Sequence, residues 1–141
     1  MARASDFRTG RRVIFKLQVH LVFVPKYRKS CITARVAERL HDAFALVCTD
    51  FESELLEFGH EPDHVHLLIA YPPKVALSKL VNSLKGVSAR RLRTESWPEI
   101  TRALRGDAFW SPSYCAVSCG GAPLDAVRQY VEKQRGASPP T

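Results

Sequence analysis

The sequence predicts an α+β domain: a ferredoxin-like (RRM-like) antiparallel sheet with helices on one face and a further helix at the C-terminal end. Three observations predict it. Stretches 13–24, 51–60 and 63–69 alternate in polarity or run apolar, as strands do. Stretches 33–50 and 75–94 repeat apolar residues at three- and four-residue spacing, as amphipathic helices do. With a short apolar segment ending at Cys119, the order becomes β-α-β-β-α-β followed by a helix.

The 141 residues suit one compact domain spanning 1–141. A net charge of +7 points to an anionic partner, with nucleic acid first and an acidic membrane surface second. No apolar run of ~18 residues is present, so no transmembrane helix is expected. Residues 1–12 read as a loose, flexible basic arm without a signal-peptide cleavage pattern. Cys31, Cys48, Cys115 and Cys119 form no paired CxxC framework, which argues against a four-cysteine zinc site and against a disulfide scaffold. Reduced, buried thiols in a cytoplasmic protein fit that pattern.

The first strand, 13–24, carries Phe15, Leu17, Val19, Leu21 and Phe23 on one face and Lys16, Gln18 and His20 on the other. Pro25 interrupts it, and the basic loop Lys26-Tyr27-Arg28-Lys29 follows. On its own this reads as a solvated turn, and it gains weight only if other basic elements converge on it. In the first helix Ala37, Leu40, Phe44 and Val47 make the apolar stripe, with Thr33 a candidate N-cap. Strand 51–60 and the next strand are joined by Glu61-Pro62-Asp63 as a hairpin. Stretch 75–94 carries the stripe Leu77, Leu80, Val81, Leu84, Val87 and Arg91. From Lys74 to Arg93 there are six basic residues and no acidic one, whereas eight acids and one arginine lie between Val36 and Asp63. A solvated helix usually mixes signs. This one, with small residues Ser83, Gly86, Ser88 and Ala89, looks built for phosphates. Trp97-Pro98 and Arg105-Gly106-Asp107 mark a loop, Phe109 to Tyr114 lead into the fourth strand, and Cys115 and Cys119 read as small buried hydrophobes. After Gly120-Gly121-Ala122, the last helix starts at Pro123 and runs to about Arg135.

The chemistry centres on Asp63-His64-Val65-His66-Leu67-Leu68-Ile69. On a strand, His64 and His66 share one face and could reach one metal ion, while Val65, Leu67 and Ile69 face a core. Paired histidines can also sit harmlessly in a sheet. His60, across the hairpin, is a candidate third ligand or a plain surface histidine. On the last helix Tyr130 and Gln134 are four apart and share a face. A tyrosine can be a nucleophile, and a Gln oxygen can complete a site begun by two imidazoles. Imidazole ligands suit manganese better than magnesium.

Six segments together (KYRK, DHVHLLI, SLKGVSARRLR, FWSPSY, SCGGAP and RQYVEKQ) give the chain a resemblance to the single-tyrosine HUH transposases of the insertion sequence 200/605 family, covering nearly its whole length. The resemblance implies cleavage and rejoining of single-stranded DNA at hairpin-bearing transposon ends through a 5′-phosphotyrosine. Tyr130 would be the nucleophile, and His64, His66 and Gln134 the ligands of a divalent ion, Mg2+ or Mn2+. It also implies a homodimer with sites shared in trans. DNA contacts are expected from Lys26, Tyr27, Arg28, Lys79, Ser83, Lys85, Arg90 and Arg93. The rival readings are an RRM-like binding module without catalysis, a zinc hydrolase using His60, His64 and His66, and a domesticated relative acting on repeated genomic hairpins. The RRM-like reading lacks the base-stacking aromatics that such sheets display.

Overall fold

The computed structural model describes residues 8–9, 14–104, 108–118 and 131–132. The main sheet has four antiparallel strands in the order β4-β5-β3-β6: β3 (Gln18–Phe23), β4 (Glu54–Glu61), β5 (His64–Ala70) and β6 (Cys115–Ser118). The first strand of the motif lies inside the sheet, beside the third and the fourth. That is the ferredoxin-like order, and it makes β3 and β5 the buried central pair. Three α-helices are described from end to end: α1 (Ala34–Asp50), α2 (Leu77–Glu95) and α3 (Pro98–Leu104).

Burial decides the register. Val19, Leu21 and Phe23 of β3 and Val65, Leu67 and Ile69 of β5 form one core with Leu40, Phe44 and Val47 of α1 and Leu80, Leu84 and Leu92 of α2. Each fully buried side chain of this size contributes ~1.5–3 kcal/mol. A one-residue slip of β5 would turn Val65, Leu67 and Ile69 outward and drive His64 and His66 into hydrocarbon. The core therefore holds both histidines on the opposite face. Phe23 anchors the centre, with its ring 5.9 Å from Phe44 and 5.7 Å from Trp110, both edge-on.

Thr33 caps α1 as expected, its hydroxyl accepting from Val36 N at 3.4 Å. Several expectations need correction. The strand expected over 13–24 is broken at Lys16-Leu17. Its first part, β2 (Ile14–Phe15), pairs with β1 (Arg8–Thr9), so part of the expected loose arm is a strand. Arg8 lies 5.4 Å over the Phe15 ring and donates to the Glu52 carbonyl at 2.8 Å, which ties that segment to the domain. β4 starts at Glu54 because Phe51 and Glu52 form the turn that ends α1.

Residues 98–104, expected in a loop, form α3, which buries Ile100 and Ala103. Three apolar positions, Ile100, Ala103 and Leu104, in one seven-residue helix are too few to show a period. The buried stripe of α2 runs through Leu80, Leu84, Ser88 and Leu92 rather than Val87 and Arg91. Ser88 is fully buried and accepts from Trp110 Nε1 at 3.0 Å, so it serves packing and not phosphates. Of the terminal helix only Val131 and Glu132 are described, and both are helical. No helix among the described residues is long and apolar enough to cross a membrane.

Candidate metal centre and nucleic-acid interface

Pairing across the sheet defines the histidine face. His66 stands opposite Gly59 on β4 and Val22 on β3, and Val22 stands opposite Cys115 on β6. His64 stands opposite Glu61 at the tip of the hairpin. The two imidazoles project side by side, with ring centroids 6.4 Å apart and planes at 38°.

The tip is held from one side by the Lys26–Arg28 turn. Ile32 N donates to the Pro62 carbonyl at 3.0 Å. Arg28 Nε lies 2.6 Å from Asp63 Oδ2, and Asp63 Oδ1 lies 2.9 Å from His64 Nδ1. With the carboxylate ionised, Nδ1 carries the proton and Nε2 is left as the ligand atom. Burial pushes the Asp63 carboxyl up, but hydrogen bonding from His64 and the Arg28 guanidinium together hold it below its usual value. Burial lowers the pKa of His66, helped by the neighbouring charges of His64 and His20, which favours the neutral ring that can ligate.

This donor set fits a divalent ion: two imidazoles share a face and one has its tautomer set. Among the described residues no group of three or more His, Cys, Asp or Glu could hold a metal. Tyr130 and Gln134 lie outside the described residues. His60 is corrected as a candidate ligand. It pairs with Val65 and so faces the helix side of the sheet, its ring stacked 6.4 Å from Phe58. Cys115, expected to be buried, is half-buried and stands on the histidine face. Desolvation raises its thiol, as it raises Cys31 to about 11 and Cys48 to about 12, so all three stay protonated.

The basic residues divide into two groups. Tyr27 is 46% exposed and has both Lys26 and Lys29 near its ring, at 5.5 and 5.7 Å. Along α2, Arg90 and Arg93 are exposed and line a cavity of about 390 Å3 together with Asn82, Trp110 and Tyr114. Lys79 is exposed and Ser83 half-buried on the same helix, outside that lining. Lys85 and Arg28 are committed inward. Lys85 Nζ donates to the carbonyls of Ser111 (2.7 Å) and Ser113 (2.8 Å) and sits over Phe23 and Tyr114. Burial pushes its ammonium down to about 8. Sequence reasoning gave no role to Asp63, although an acid directly beside a candidate ligand was a readable signal. It also missed Gly59.

Residues 13–134 match the family model described as transposase IS200 like. The ISDra2 transposase TnpA of Deinococcus radiodurans is 32% identical over 129 residues, covering 92% of this chain and 91% of that protein. The transposase for insertion sequence element IS200 of Salmonella typhimurium is 28% identical over 130 residues, covering 92% and 84%. A crystal structure from Deinococcus radiodurans R1, described as a transposase, superposes with a TM-score of 0.82 at 33% identity, covering 90% of this chain and 97% of that one. A REP-associated tyrosine transposase solved bound to a REP hairpin gives a TM-score of 0.52 at 16% identity, covering 89% and 68%, a likeness of fold alone.

Proposed function

The chain belongs to the IS200-like transposase family, and on that premise we propose that it cleaves and rejoins single-stranded DNA at hairpin-bearing transposon ends through a 5′-phosphotyrosine. The observation that carries the proposal is the pairing of His64 and His66 on one face of β5, with Asp63 fixing the tautomer of His64.

Tyr130 is the nucleophile in this reading. Its Oη gives up its proton to solvent and attacks the scissile phosphorus; as the Oη–P bond forms the P–O3′ bond breaks, and the departing 3′-oxygen takes up a proton to become a free 3′-OH. A divalent ion, Mg2+ or Mn2+, when bound by His64, His66 and Gln134, would supply the charge that neutralises the phosphoryl oxygen. The phosphotyrosine keeps one phosphodiester's worth of bond energy. A second 3′-OH can therefore displace Tyr130 and join the strands without a nucleotide cofactor. Asp63 and Arg28 keep the His64 ring turned toward the site. Arg90, Arg93, Lys79, Lys26 and Tyr27 hold the DNA backbone and stack its bases. The working form is a homodimer in which the histidines of one subunit meet Tyr130 of the other.

The test is Tyr130→Phe with labelled single-stranded element ends and Mn2+, read on a denaturing gel. Wild type should form a covalent adduct that the variant lacks, with DNA binding retained. An adduct that persists in the Phe variant would move the nucleophile elsewhere.

A further inference from the structure

We propose that Gly59 is a positioning residue for His66: the absence of a side chain at this one place on β4 lets the imidazole lie across the strand. This rests on the proposed function for its consequence and on geometry for its cause.

Gly59 and His66 are directly opposed in the hairpin. A Cβ built at residue 59 would stand 2.3 Å from His66 Cε1, 2.4 Å from Nε2 and 3.3 Å from Nδ1. Non-bonded carbon atoms do not approach so closely, so the ring occupies the volume that any side chain at 59 would need. Backbone conformation does not explain the glycine. Gly59 is absent from the left-handed region, and glycine inside a strand weakens it relative to alanine. Gly86 is the contrast, because a Cβ there would make one ordinary contact, 3.4 Å from Arg90.

The neighbouring positions show why the ring needs this berth. On its other side stands Val22, fully buried on the same face. With Val22 filling that side, the open side is over β4, and Nε2 is one of the two ring atoms nearest Gly59. An alanine there would leave the fold in place and turn the imidazole away, moving the ligand nitrogen relative to His64. Small displacements of a ligand weaken a metal site strongly, as loss of the groups that orient ligands does.

The experiment uses the full chain with Gly59→Ala. In the metal-free protein, 1H–15N spectra of the imidazoles should show His66 shifted. Mn2+ affinity, read from the EPR signal of free Mn2+, should fall by about tenfold or more. In a His66→Ala background the same substitution should no longer lower the thermal midpoint, because the ring it displaces is gone. Unchanged His66 signals with unchanged Mn2+ affinity would overturn the proposal. So would an equal drop in midpoint in both backgrounds, which would make the glycine merely structural. Wild-type protein that takes up no Mn2+ would sink the proposed function alone, since the imidazole spectra are read without metal.

Discussion

Asp63 Oδ1 accepts from His64 Nδ1 at 2.9 Å while its other oxygen meets Arg28 Nε at 2.6 Å. One carboxylate thus joins the turn after β3 to the histidine strand. Tyr27 and Arg28 are both left-handed, at φ 61° and 53°, which brings the guanidinium back over the hairpin tip. Replacing Asp63 by Asn keeps the shape but removes the charge that fixes the tautomer. The Mn2+ concentration for half-maximal adduct formation should rise about 10–100-fold. Titrating Mn2+ in the cleavage assay checks this, and an unmoved midpoint would leave Asp63 without a part in ligation.

The cations of α2 should separate into two classes. Lys85→Met removes a charged donor from two carbonyls and should cost about 1–3 kcal/mol of stability, measured by urea unfolding. Arg90→Ala with Arg93→Ala should leave stability within about 0.5 kcal/mol, because among the described residues neither guanidinium makes an ion pair. That double variant should instead flatten the salt dependence of single-strand binding, by about 0.7 in log–log slope for each phosphate no longer neutralised. A salt slope that moves with Lys85 and not with the arginines would reverse the assignment.

Glu99 ties α3 to the start of α1, accepting from Arg35 Nη2 at 2.7 Å and from Thr33 Oγ1 at 2.8 Å. The Arg35 hydrogen bond, more than any other cause, holds its carboxyl down at about 2, from an ordinary 4.5. A carboxyl with a lowered folded value binds its proton more readily in the unfolded chain. Its contribution is therefore complete above pH 4.5 and lost as pH falls toward 2. The melting temperature of wild type should exceed that of Glu99→Gln near neutrality by a small margin, as befits a surface pair. That margin should close over this acid range. A margin constant with pH would show that the charge plays no part.

Sharing of the site between subunits can be tested by complementation. Co-express a His64→Ala/His66→Ala chain with a Tyr130→Phe chain and isolate the mixed dimer through two tags. If sites form in trans, one site regains both histidines and the tyrosine, and cleavage returns. A folded, DNA-binding mixed dimer that stays inactive would place the site within one chain.

The alternation around β5 and the stripe of α1 could be read from the sequence because both are local. Side-chain direction along a strand or helix follows residue spacing, and burial of Val65, Leu67 and Ile69 leaves His64 and His66 one face to occupy. The shared face of His64 and His66 followed from that local pattern.

Tertiary contact decided the rest. His60, across the hairpin from the histidine strand, was a candidate ligand until its pairing with Val65 put it on the other face. Lys85 and Arg28 had the same charge as Arg90 and Arg93, and only the arrival of the Ser111 and Ser113 carbonyls and of Asp63 turned them inward. Gly59 carried no signal in its own stretch, because the ring that fills the space beside it belongs to the opposite strand. Residue type sets what a group can do. Which group it meets depends on pairs distant in sequence, whose spacing no local period encodes.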